Sequence, residues 1–153
     1  MKNSRKNTRV SNNKTHKNKG SPNAKKQLVK YMLQMLMTVK LYHWNTLSFS
    51  THNATDDLYG ELNTMIDQFV EVLLGKHSNV SEKNKYEILN VGNLHLTTYK
   101  DNGKFKREIE EYKKHLIGLN KMFNHSENSD LLNIRDEILA NLNKLSYLLT
   151  LHP

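Results

Sequence analysis

The sequence predicts an all-α protein, a four-helix bundle with one long crossover between its second and third helices. Three observations lead there. Four stretches carry apolar residues at helical spacing. No stretch alternates convincingly as a strand, although "LHLTTY", Leu94 to Tyr99, reads as a weak extended piece. The second and third helices are separated by His77 to Gly103, far more chain than an antiparallel hairpin turn uses. With 153 residues the chain can build one core of useful size and hardly two.

The first helix is expected over about Asn23 to Asn45, with Pro22 suited to its first turn. Leu28, Met32, Met35, Leu36 and Val39 form one stripe, while Val29, Leu33, Met37 and Leu41 lie elsewhere around it. That apolar girth is too wide for one core face, so a second buried face is expected, supplied by a subunit interface. The second helix, about Asn53 to Leu74, has the stripe Leu58, Leu62, Met65, Ile66, Phe69 and Leu73, with Gly75 as its C-terminal cap. A short helix over about Glu82 to Leu89 fits inside the crossover. The third long helix, about Lys104 to Phe123, uses Phe105, Ile109, Tyr112, Leu116 and Leu119. The last starts near Ser129 as N-cap and runs through Leu131, Ile138, Leu142, Leu145 and Leu149.

Composition narrows the chemistry. There is no cysteine, which excludes disulfides and thiolate metal sites; any metal must be held by His, Asp and Glu. The most apolar run, Leu28 to Trp44, is broken by Lys30, Gln34 and Lys40, so no membrane span and no membrane partner are expected. No signal peptide is apparent, and an intracellular protein is expected, cytoplasmic or associated with DNA. The net charge of +8 is unevenly spread. Residues 1–26 hold nine Lys or Arg and no acid, whereas the rest holds 14 basic and 15 acidic residues. The first acid in the chain is Asp56. The chain therefore divides into a basic tail, residues 1–26, too apolar-poor to order itself, and a near-neutral helical domain, residues 27–153. Such a cationic arm seeks a polyanion.

One stretch carries the chemistry. "LYHWNTLSFSTHNATDDLYGELNTMIDQFVEVLLG", residues 41–75, contains His43, His52, Asp56, Asp67 and Glu71. On a helical wheel with His52 at zero, Asp56, Asp67 and Glu71 fall at about 40°, 60° and 100°, while the core stripe spans about 220° to 340°. The four polar residues share the face opposite the core. Most acids so placed simply solvate a helix, and on spacing alone that reading dominates. Length changes the balance. The His52/Asp56 pair and the Asp67/Glu71 pair lie roughly 22 Å apart along the axis, so no single metal touches both. If two copies of this helix meet antiparallel about a two-fold axis, the first pair of one chain faces the second pair of the other, creating two equivalent sites. His43 could complete the first half. Imidazole and carboxylate ligands without sulfur suit iron, manganese or zinc.

These residues resemble the Dps-like branch of the ferritin superfamily, the mini-ferritins (the DNA-binding proteins from starved cells). The resemblance rests on "HWN" at His43 to Asn45, and on His52 followed at +4, +15 and +19 by Asp56, Asp67 and Glu71. It covers about Lys40 to Gly75 closely, and the bundle layout more loosely. It implies a ferritin-like four-helix bundle assembled as a hollow homo-dodecamer. It also implies a ferroxidase site with His43, His52 and Asp56 from one subunit and Asp67 and Glu71 from its two-fold partner. The implied activity is oxidation of Fe(II), preferably by hydrogen peroxide, with ferric mineral stored inside. The connection "TLSFST" departs from the family, being about three residues shorter and lacking Gly-Pro, which bears on His43. Trp44 has two compatible readings, a packing aromatic at a dimer interface and, as the resemblance implies, an electron donor beside the iron. The remaining histidines, His77, His95, His115, His125 and His152, show no ligand-like spacing.

Lys-rich N-terminal tails that bind DNA occur in some mini-ferritins. Here Lys2, Arg5, Lys6, Arg9, Lys14, Lys17, Lys19, Lys25 and Lys26 would neutralise phosphates without reading sequence, and an oligomer would multiply weak contacts. No aromatic is interleaved, so duplex backbone is a better target than stacked bases. The expected function is thus iron oxidation and storage joined to non-specific DNA binding, protecting DNA from oxidative damage. The alternative is a non-enzymatic DNA-compacting protein on the same scaffold. A catalytic di-metal oxidase fits less well, because such bundles use Glu-x-x-His pairs and none occurs here.

Overall fold

The computed structural model describes residues 20–76 and 82–151. The protein is all-α: helices α1 (Pro22–Asn45), α2 (Phe49–Gly75), α3 (Glu82–Leu89), α4 (Asn102–Gly118) and α5 (His125–Leu148), with one 3-10 turn at Leu119–Lys121 and no strand among the described residues. α1 packs against α2, α2 against α5 and α4 against α5, while the short α3 lies on α1. The ring pairs Tyr31–Tyr112 and Tyr42–Phe105 close the contact between α1 and α4. None of these helices is long and apolar enough to cross a membrane.

The apolar stripes meet in one core. Met32, Met35, Leu62, Phe69, Phe105, Ile109, Leu116, Leu131, Ile138 and Leu142 are essentially inaccessible to solvent. Burying each such side chain contributes about 1.5–3 kcal/mol relative to leaving it exposed. Every stripe position named from sequence on α2 is buried. α1's wide girth has a partly intramolecular explanation. α3 lies against it with Ile88 buried, and Leu33 and Met37 pack half-buried on the core. The face assigned to a subunit interface is thus partly covered by the chain's own crossover.

Helix ends shift from expectation where caps compete. Ser21 caps α1, its Oγ accepting from Ala24 N at 3.3 Å, with Pro22 beginning the helix. Lys25 and Lys26 therefore stand in the first turns of α1, and the boundary drawn at residue 26 moves back to about residue 21. α2 begins a turn early because Ser48, not a later residue, caps it. Gly75 ends α2 as a helical residue, and Lys76 takes the cap position in the right-handed region, so no left-handed glycine cap forms. α5 starts at His125 under an Asn124 cap, with a break at Asn128 (φ −133°, ψ 30°). The regular part of α5 thus begins at Ser129, and one extra turn precedes it. "LHLTTY" forms no strand; it runs along α1, held by Gln34 Nε2 donating to His95 O (2.8 Å) and Asn45 Nδ2 to Tyr99 O (2.7 Å).

Candidate metal centre

The connection between α1 and α2 is only Thr46 to Ser48. Thr46 N donates to Tyr42 O, closing α1, and His52 N donates to Ser48 O, opening α2. So short a turn makes the helices antiparallel neighbours and sets the last turn of α1 against the first turn of α2. His43 and His52 therefore face each other. Their rings stack with centroids 3.9 Å apart and planes 25° apart.

Each ring is held by the other residue's backbone. His43 Nδ1 donates to His52 O and His52 Nδ1 donates to His43 O, both at 3.0 Å. A carbonyl can only accept, so both protons sit on Nδ1 and both Nε2 atoms keep their lone pairs when the rings are neutral. Metal-binding histidines are oriented by this kind of partner. Thr55, fully buried, reinforces the arrangement by donating to Thr51 O at 2.7 Å and His52 O at 3.0 Å. His43 is buried and His52 exposed, so the pair spans the boundary between core and surface.

Asp56, one turn after His52, comes close to His43. Its Oδ1 is 3.5 Å from His43 Nε2. Two ligands bound at about 2.0–2.2 Å around a tetrahedral ion stand roughly 3.4 Å apart, so this separation is that of two donors sharing one cation. The shortened connection therefore does not pull His43 away from Asp56. Sequence reasoning missed a second group at this carboxylate. Lys40 Nζ is 3.6 Å from the same Asp56 oxygen, 4.3 Å from the Tyr59 ring centroid and 5.5 Å from that of Trp44. The one available signal was Lys40 itself, three residues and so about one helical turn before His43.

Asp67 and Glu71 are exposed further along α2 and make no hydrogen bond or ion pair among the described residues. The chain does not bring them to His43, His52 and Asp56. Among the described residues no group of three or more His, Asp or Glu is arranged to hold a metal within one chain. α2 carries five acids, Asp56, Asp57, Glu61, Asp67 and Glu71, and no Lys or Arg. α1 is the converse, with four lysines and no acid. Around the turn, Trp44 (68% exposed), Leu47 (104%) and Phe49 (80%) present apolar surface beside the histidines.

Of the basic residues assigned to DNA, Lys2, Arg5, Lys6, Arg9, Lys14, Lys17 and Lys19 lie outside the described residues. Lys25 and Lys26 are half-buried on α1, and burial lowers the pKa of Lys25.

Residues 43–149 match the model of a family described as a family of unknown function (DUF5856). All five candidate ligands fall inside that span, and the basic N-terminal stretch falls outside it. No curated protein and no solved structure matches the chain.

Proposed function

The chain belongs to this family, DUF5856, and we propose that it is a ferritin-like iron-oxidising protein whose sites are completed by a second copy about a two-fold axis. The observation that carries the reading is the His43–His52–Asp56 half-site. Backbone carbonyls fix both Nδ1 protons, and His43 Nε2 stands 3.5 Å from Asp56 Oδ1, the spacing of two ligands on one ion. Asp67 and Glu71 of the two-fold partner would supply the remaining carboxylates, and the exposed Trp44, Leu47 and Phe49 would bury against that copy. The helix order, with its crossover between α2 and α4, is compatible with a ferritin-like bundle.

In this reading Fe(II) is the substrate. His43, His52 and the carboxylates bind it, and the anionic oxygens favour the Fe(III) product over Fe(II). Hydrogen peroxide accepts the electrons. Zinc or manganese would suit the same donors. Assembly as a hollow homo-oligomer would let the ferric product be stored, and the basic N-terminal stretch would attach the particle to DNA by phosphate neutralisation.

A complementation experiment tests the intersubunit site. His52→Ala and Glu71→Ala chains, each inactive alone, are co-expressed. Each mixed dimer would keep one intact site of its two. Random pairing restores about a quarter of the wild-type rate of ferric product formation with Fe(II) and peroxide. A site contained in one chain gives no restoration. Wild-type rates in the Asp56→Ala, Glu71→Ala double variant would remove the assignment altogether.

A further inference from the structure

The outward face of α2 has a symmetry that reaches beyond its ligands. The midpoint of His52 and Glu71 lies between Glu61 and Leu62, and so does the midpoint of Asp56 and Asp67. One antiparallel two-fold axis through that point therefore matches both ligand pairs at once. The same axis sets Phe49 against the partner's Leu74 and Gly60 against the partner's Asn63. On the helical wheel Phe49, Leu74, Gly60 and Asn63 lie at about 60°, 40°, 80° and 20° from His52, inside the arc of about 100° that the ligands occupy. Phe49 is 80% exposed, Gly60 and Asn63 are exposed and Leu74 is half-buried, so the face is open in the single chain.

Gly60 marks the crossing, less than one turn from the axis. It sits in the interior of α2, where glycine costs stability relative to alanine. A Cβ at this position would meet nothing within 4 Å, so packing inside the chain gives no reason for the missing side chain. Two helices whose short Asp side chains share an ion must come close, roughly 8–10 Å between axes, and a glycine at the crossing leaves that room.

Charge opposes the same pairing. Each closed site would gather Asp56 with the partner's Asp67 and Glu71, three carboxylates, against the one ammonium of Lys40, the only Lys or Arg among the described residues that is ion-paired to any of these acids. Glu61 does not share in this repulsion, because it turns to α5 and stands 3.6 Å from Lys144. Neutral histidines do not offset the surplus negative charge, whereas a divalent cation does. Phe49 against Leu74 adds only a small apolar contact at each end.

We propose that a divalent cation controls the pairing of two copies through this face: metal-free chains stay apart, and bound metal closes the α2–α2 contact with Gly60 at the crossing. The composition of the closed site rests on the iron-oxidising reading; the control of pairing goes beyond it. A metal held more tightly by the pair than by either half raises the affinity of each chain for the other. Fe(II) would thereby assemble the site that oxidises it.

Sedimentation velocity on the full chain, stripped of metal with EDTA and dialysed, tests this with Zn(II), which has no redox chemistry. Equimolar Zn(II) should convert monomer into dimer or a multiple of dimers, and EDTA should reverse the shift. Gly60→Gln should lose the Zn(II)-driven shift, while its thermal unfolding by circular dichroism stays unchanged or moves up. Asp67→Asn with Glu71→Gln should lose the dependence on Zn(II). The same assembly state with and without Zn(II) overturns the proposal, as does a wild-type shift in the Asp67, Glu71 double variant. A wild-type shift in Gly60→Gln overturns the crossing. Fe(II) oxidation by peroxide, measured on the same protein, separates the two readings. Zn(II)-driven pairing without iron oxidation fails the iron reading and supports the interface. Iron oxidation by a chain whose assembly ignores Zn(II) fails this inference and leaves the iron reading standing.

Discussion

Lys40 and His43 both approach the same carboxylate oxygen: Asp56 Oδ1 is 3.6 Å from Lys40 Nζ and 3.5 Å from His43 Nε2. One turn of α1 thus supplies both a ligand and a resident positive charge. A metal entering between His43 and Asp56 must weaken the lysine contact. Lys40→Gln should bind Zn(II) or Fe(II) more tightly, by up to about five-fold, the scale of a partly exposed ion pair worth roughly 0.2–1 kcal/mol. Titration calorimetry with Zn(II) measures it; unchanged or weaker affinity would show that Lys40 does not compete for Asp56.

Asp67 and Glu71 give the opposite kind of outcome. Both are exposed and make no hydrogen bond or ion pair within the described residues. Asp67→Asn with Glu71→Gln should leave monomer stability within about 0.5 kcal/mol in urea unfolding. The same variant should lose most of its Fe(II) oxidation. A large loss of stability would assign these acids to the fold.

His115 predicts a pH dependence. Its ring stacks on Tyr31 at 3.7 Å, and burial lowers its pKa from the usual 6.5. The unfolded chain therefore takes up this proton at higher pH than the folded one. Between 6.5 and the lower folded value the unfolded state binds more protons, so stability falls as pH falls through that window. His115→Phe should remove this part of the slope of unfolding free energy against pH. An unchanged slope in the variant would rule His115 out as its source.

The N-terminal stretch is tested by deletion. Seven Lys or Arg lie within residues 1–19. Removing those residues should abolish salt-sensitive DNA retention in gel-shift assays and leave helix content unchanged. In the full chain, log affinity should fall with log salt by about 0.9 per phosphate neutralised. Equal retention by the truncated chain would move DNA contact onto the helical body.

Much of the architecture was legible because α2 and α4 each bury a single regular stripe. Leu58, Leu62, Met65, Ile66, Phe69 and Leu73 are all buried, as are Phe105, Ile109, Tyr112, Leu116 and Leu119. The start of α2 was hidden because Phe49 is apolar yet exposed, so it breaks the periodicity that marks a helix. The start of α5 was hidden by the irregular Asn128. For the site, offsets along α2 place Asp56, Asp67 and Glu71 on one face, because a helix converts spacing into direction. The His43–His52 contact depends on turn geometry, which spacing does not encode. Asn45 and Tyr99 meet because the crossover returns along α1, a relation between segments that no local pattern contains.

The three-residue connection at Thr46 to Ser48 also bears on how the molecule comes to exist. His43, His52 and Asp56 all lie within one helical hairpin, so their meeting needs little loop-closure entropy. Contacts this local form early, while the pairing of α1 with α4 must wait for the crossover. The hairpin is thus placed to belong to the folding nucleus. In that case a cation bound by the half-site would stabilise the transition state almost as much as the native state. Metal would then speed refolding rather than slow unfolding, and the site would shape the nascent chain before any second copy arrives.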